Sequence, residues 1–132
     1  MTRPYASDQI AEAFERFAPN QRAGLVTLRA MIFEIAAELP EIGPVEEVLR
    51  WGQPAYLTPS TGAATTLRLG VPKGGGFALF VHCRTRLIAD FKAAFPGRDR
   101  IDGTRGVLFD DPAQIDRNRH GFLIRSALTY HL

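Results

Sequence analysis

One cysteine, Cys83, stands in 132 residues. No intramolecular disulfide can form, so a secreted scaffold stapled by cysteine pairs is excluded. Long apolar runs are missing as well. None approaches the ~20 residues that a membrane-spanning helix needs, and the opening MTRPYASDQI lacks the apolar segment of a secretory signal. These features predict a soluble cytoplasmic protein with no membrane partner. Repeats, low-complexity tracts and linkers are absent too, which predicts a single domain over 1–132.

Net charge is also scarce, at +2, but it is unevenly placed. Residues 1–67 carry five Lys/Arg and eight Asp/Glu, while residues 68–132 carry eleven and six. A basic half attracts anions. Because the basic residues are interleaved with acids, they read as a solvated surface, and this argues against nucleic acid as the partner. The arginine-rich region 84–105 leaves a weak nucleic-acid or anion binder as an alternative.

What is present is an ordinary globular mixture, 45% hydrophobic and 23% charged, enough to bury a core without staples. Ser7 suits the N-cap of a first helix with Ile10, Ala13, Phe14 and Phe17 on one face. Leu25, Leu28, Ile32, Ile35 and Leu39 mark a second helix from about Asn20 to Leu39, stopped by Pro40. A connection this short predicts an antiparallel helical hairpin. Pro44, Glu46 and Glu47 suit the start of a short helix running to about Arg50. Strands are then expected at 53–58, 65–72 and 76–83, joined by Pro/Gly/Ser turns, and a fourth at 103–109. A helix is expected over 84–95, and a last one opens at the capping box Asp111-Pro112-Ala113-Gln114. The class is α+β: a four-stranded, mainly antiparallel sheet with an N-terminal helical hairpin and further helices packed on one face.

The stretch 48-VLRWGQPAY-56 holds the only tryptophan. Gly52 can turn the chain and Pro54 fits an edge strand, so it reads as a helix-to-edge-strand joint with Trp51 and Tyr56 as packing anchors. On the third strand Phe77, Leu79 and Val81 share one parity and face the helices. Ala78, Phe80 and His82 share the other. Helices on one side cannot cover both parities, so the second face is expected to hold a ligand groove or a homodimer contact. Trp51, Tyr56, Phe80 and His82 are therefore the candidate ligand-binding residues.

These residues also resemble a family. A helical hairpin, the segment Pro44-x-x-Glu47-x-x-x-Trp51-Gly52-x-Pro54-x-Tyr56, a sheet hairpin ending in Phe80-x-His82, an amphipathic helix and a final strand-helix unit look like the YdhG-like family of small bacterial domains of unknown function. Leu28 and Ile32 of the second helix belong to the same pattern, which spans about Ile10 to Tyr130. The resemblance implies an α+β domain with no established catalytic centre. One family member is described as a frataxin-like iron chaperone, which implies an intracellular iron-binding role as an alternative, with Glu46 and Glu47 as the metal candidates.

The chemistry in the sequence is sparse. His82 and Cys83, as neighbours on a strand, point to opposite faces and can neither share an ion nor act as a nucleophile–base pair. Cys83 reads as a small buried hydrophobe. The glycines of Lys73-Gly74-Gly75-Gly76 lie between two strands, not at a helix start, so they read as a hairpin tip and not a phosphate loop. A non-catalytic domain that binds a small ligand or protein partner, with no cofactor, is the leading expectation.

Overall fold

The Ser7 hydroxyl accepts from the Ile10 N–H at 3.3 Å and opens the first helix, as its position predicts. The computed structural model describes residues 3–132. Helix α1 (Asp8–Glu15) is followed by α2 (Pro19–Ala37), with Pro19 in its first turn. Strands β1 (Glu46–Arg50), β2 (Gln53–Leu57), β3 (Leu67–Gly70) and β4 (Phe77–Phe80) come next. Helix α3 (Leu87–Ala94), strands β5 (Arg100–Asp102) and β6 (Gly106–Phe109), and helix α4 (Arg117–Leu128) complete the chain.

The sheet has six strands in the order β1-β2-β3-β4-β6-β5, and every pairing is antiparallel. Four were expected. The first extra strand replaces the short helix expected over 44–50. Glu47 pairs with Tyr56 and Arg50 with Gln53, so Trp51 and Gly52 form a two-residue hairpin turn. Their φ angles are 51° and 76°, the left-handed pair that a tight hairpin requires and that Asn-Gly ordinarily supplies. A tryptophan in the first turn position hid the hairpin. The second extra strand, β5, is three residues long and pairs Arg100 with Leu108 around a turn at Gly103.

Leu67, Leu69, Phe77, Leu79, Val107 and Phe109 alternate onto one face and are fully buried. They join Leu25, Leu28, Ile32, Phe91, Leu123 and Ile124 of the helices in one contiguous core. Phe77 and Phe109, register partners, stack with centroids 5.0 Å apart. Helix α2 crosses so near the sheet that a Cβ on Gly24 would overlap the Phe77 ring. The C-terminus of α4 closes against the β2–β3 loop, where Thr65 donates its N–H to the Ala127 carbonyl at 3.0 Å.

The last helix begins later than expected. Asp111 and Gln114 do form a capping box, but around a single 3₁₀ turn, Pro112–Gln114. Asp116 then caps α4 by accepting from the Arg119 N–H at 2.7 Å. Strand β4 ends at Phe80, so His82 and Cys83 lie in a turn instead of alternating along a strand, and Cys83 is exposed rather than buried. No helix among the described residues is long and apolar enough to cross a membrane.

The Gly24–Phe77 crossing is open to a direct test. Gly24→Val should cost about 1–3 kcal/mol through overpacking, measured by urea denaturation. An unchanged midpoint would show that Phe77 yields without cost.

Candidate functional site

Among the described residues, two closed polar clusters and one open one bear on function. The first ties the sheet edge to α2. Glu47 and Tyr56, opposite one another on β1 and β2, both face the core. Arg29 of α2 donates to Glu47 Oε2 from Nε at 2.6 Å and to Oε1 from Nη2 at 3.0 Å. The Tyr56 hydroxyl donates to Oε2 at 2.7 Å, and the Ala6 N–H to Oε1 at 3.2 Å. Arg29 also donates to the carbonyls of Arg3 and Pro4 at 2.8 and 3.0 Å, which pins the N-terminal segment. Burial alone would raise the Glu47 carboxyl, but the hydrogen bonds from Arg29, Tyr56 and Ala6 outweigh it and hold it below the usual carboxylate range. Burial and then the neighbouring carboxylate push the Tyr56 phenol far above its ordinary value.

The second cluster joins Asp99, the residue before β5, to α4. Arg119 Nε donates to Asp99 Oδ2 at 2.6 Å, and His120 Nε2 lies 2.8 Å from Asp99 Oδ1. An Asp–His pair invites a catalytic reading. The other ring nitrogen, however, accepts the Asp116 N–H at 2.8 Å. This fixes the proton on Nε2, where it is donated to Asp99, and leaves the ring with no free lone pair. His120 is fully buried between the rings of Phe91 and Phe109. A polar cleft of about 330 Å³ adjoins Asp99 and Arg119; of its three arginines, Arg100 and Arg119 are paired to Asp110 and Asp99, and Arg98 forms no ion pair among the described residues.

The third cluster is open. Gln53, Ala55, Arg68, Gly70, Ala78, Phe80, Gly106 and Leu108 have the parity opposite to the core, and the helices contribute their buried residues to the other side. Arg68 lies between two rings, with its guanidinium carbon 5.5 Å from the centroid of Trp51 and 5.5 Å from that of Phe80. Its Nη1 donates to Gln53 Oε1 at 2.6 Å. The face is flat because glycine allows it. A Cβ on Gly106 would come 2.9 Å from the Phe80 ring and 2.6 Å from the Leu79 carbonyl oxygen, and one on Gly70 would come 3.0 Å from the Gln53 amide carbon. Partial burial first, and then repulsion from Arg105, lower the Arg68 guanidinium from its ordinary pKa.

Trp51 is 88% exposed, so the packing-anchor expectation is corrected for Trp51, while Tyr56, the other expected anchor, is fully buried. It stands at the hairpin tip, the only non-glycine among the described residues with positive φ. A bulky residue in that conformation is strained by roughly 1–3 kcal/mol. Of the four candidate ligand residues, Trp51 and Phe80 meet across Arg68. Tyr56 lies on the core face within the Glu47 network. His82 is exposed in the turn after β4, where its Nδ1 accepts from the Arg84 N–H. Glu46 and Glu47 part to opposite faces, Glu46 exposed and Glu47 buried. Among the described residues no group of three or more His, Cys, Asp or Glu side chains could hold a metal ion.

Arg68 was absent from the sequence candidates, and so were Arg29, Asp99, Arg119 and Gln53. A signal for Arg68 existed: it is the charged residue between Leu67 and Leu69, on the wet side of the middle strand. Comparison with protein-family models, with curated proteins and with solved structures returns no match.

Two outcomes follow from the closed clusters. Glu47→Ala strands the Arg29 guanidinium inside the protein and should cost about 3–5 kcal/mol in denaturation. A loss under ~1 kcal/mol would show that water reaches Arg29. Acid should also weaken the fold in two stages. Burial holds the His120 pKa below 6.5, its ordinary value. Below pH 6.5 the unfolded chain therefore binds a proton that the folded chain refuses, and stability falls with pH toward the folded value. A second loss follows below the ordinary carboxylate values of 3.8 and 4.5, as Asp99 and Glu47 are protonated in the unfolded chain first. His120→Phe should remove the first stage, read from melting temperature against pH. A melting temperature that is flat from pH 7 to 5 would contradict it.

Proposed function

We propose that the protein is a non-catalytic binding module whose ligand docks on the open sheet face around Trp51, Arg68 and Phe80. One observation carries this reading: the sole tryptophan is held almost fully exposed, in a strained left-handed backbone, beside a guanidinium that a second aromatic flanks on the same face. Strain kept at an 88% exposed aromatic is offset within the chain only by its contact with Arg68, and exposed aromatic and arginine groups are the usual anchors of binding surfaces.

The committed hydrogen bonds elsewhere support the non-catalytic half of the proposal. Neither nitrogen of His120 is free to take a substrate proton. The iron-carrier role implied by the YdhG-like resemblance would rest on Glu46 and Glu47, and the Glu47 oxygens already accept four hydrogen bonds. Phe80 packs over Gly70 and Gly106 of its own sheet, so burying that ring requires no second chain.

Trp51→Asn places the preferred Asn-Gly pair in the hairpin turn. The variant should be at least as stable as the parent, with a gain of up to ~1 kcal/mol, and should lose ligand binding. A thermal-shift screen of metabolites, nucleotides, peptides and metals on the parent identifies ligands, and the variant is then tested against each hit. A destabilised variant, or one that keeps full affinity for every hit, would remove the basis for placing the site here.

A further inference from the structure

The open face narrows the chemistry of its ligand. Two ring surfaces flank Arg68 at 5.5 Å each, so their centroids lie within 11 Å of one another. Arg68 forms no ion pair with a carboxylate among the described residues. Its hydrogen-bond partner is the neutral amide of Gln53, and the neighbouring cation is Arg105. Arg105, in the β5–β6 turn, and Arg50, at the end of β1, also lack ion-pair partners among the described residues. Asp110 is neutralised by Arg100 at 3.0 Å. Glu46 and Asp102 are the remaining acids of the face, and they sit on its two edge strands.

Unpaired cations between stacking surfaces fit an anion that carries flat rings of its own. A polyanion without rings would use the arginines and make no use of the exposed Trp51 ring or of the part of Phe80 that its own sheet leaves uncovered. A duplex hides its rings inside the helix, whereas a single strand offers phosphates and bare bases in alternation. We infer that the open face binds single-stranded nucleic acid, with bases stacked on Trp51 and Phe80 and phosphates held by Arg68 and Arg105. This inference rests on the reading of the open face as the binding surface. It reverses the expectation drawn from the scatter of basic residues along the chain, because the sheet gathers positions 50, 68 and 105 that the sequence holds apart. From the β1–β2 tip to the β5–β6 turn the face crosses strands spaced about 4.8 Å, room for a short segment at the low end of the ~4–16 nucleotides that sheet-based single-strand sites occupy.

The test uses fluorescein-labelled single-stranded oligo-dT and oligo-rU of about 12 nucleotides, a duplex of equal length, and inorganic polyphosphate as competitor. The expected result is saturable binding by anisotropy with quenching of Trp51 emission, at least ~10-fold tighter than for the duplex or polyphosphate, and weakening linearly in log salt. Trp51→Ala and Arg68→Gln should each lose ~10-fold or more. Trp51→Phe should keep most of the affinity, and Lys73→Gln, at the β3–β4 hairpin tip, should change little. Polyphosphate competing as well as the oligonucleotide would overturn the inference, since rings would then contribute nothing. Absence of oligonucleotide binding, alongside a peptide or protein that quenches Trp51, would overturn the ligand class and leave the open face standing. Oligonucleotide binding that Trp51→Ala and Arg68→Gln leave intact would overturn both.

Discussion

A sheet covered on one side only is the constraint from which the rest of this structure follows. Strand side chains alternate between faces, so each strand that gives Leu67, Leu69, Phe77 and Leu79 to the helices must give something to water. Here the second face carries buried small residues beneath half-buried, flat ones. Ala55, Ala78, Gly70 and Gly106 lie low, and Phe80, Gln53 and Arg68 lie across them. The arrangement shields backbone without forming a second hydrophobic core. It also leaves cation and ring chemistry on a surface that no element of the chain occupies.

The covered side is held differently at its two ends. In the centre, shape decides: Gly24 admits the Phe77 ring, and Phe77 stacks on Phe109. Toward β1 the apolar core runs out, and the Arg29–Glu47–Tyr56 network takes over. Toward β5 the Asp99–Arg119–His120 network does the same for α4. Every buried side-chain nitrogen and oxygen among the described residues has a partner. Such saturation suits structural networks better than reactive ones, because a group that must change its proton cannot have all its bonds already made.

The long elements were legible because their signals were redundant. Helix α2 has an apolar stripe stopped by Pro40, and β3 has strict alternation. The local sequence misled where a residue was atypical for its role. Trp51 stands where asparagine is the rule, so a hairpin looked like a helix end and an exposed ring looked like an anchor. Glu47 resembles helix-start charge in the local sequence because its partner, Arg29, is 18 positions away. Parity along β4 follows the period of two in the sequence, with Phe77 and Leu79 on the core face and Phe80 on the other. What it lacked was Arg68 from the neighbouring strand, and register between strands is set by turns whose type must be known first.

The order of the strands bears on how the chain reaches this state. Strands β1 to β4 form a meander, and β5 pairs with β6, so nearly every hydrogen-bonded pair closes a short loop. Only β4 with β6 encloses a longer segment, and part of that segment is already condensed as α3. Loop-closure entropy is thus lost in small steps, and the sheet can be assembled hairpin by hairpin before α4 returns to the β2–β3 loop. A chain of this kind has few occasions to pair a strand with the wrong neighbour. Its two edges, three residues of β5 and a β1 bearing Glu46, Glu47 and Arg50, give another molecule's strand little to extend.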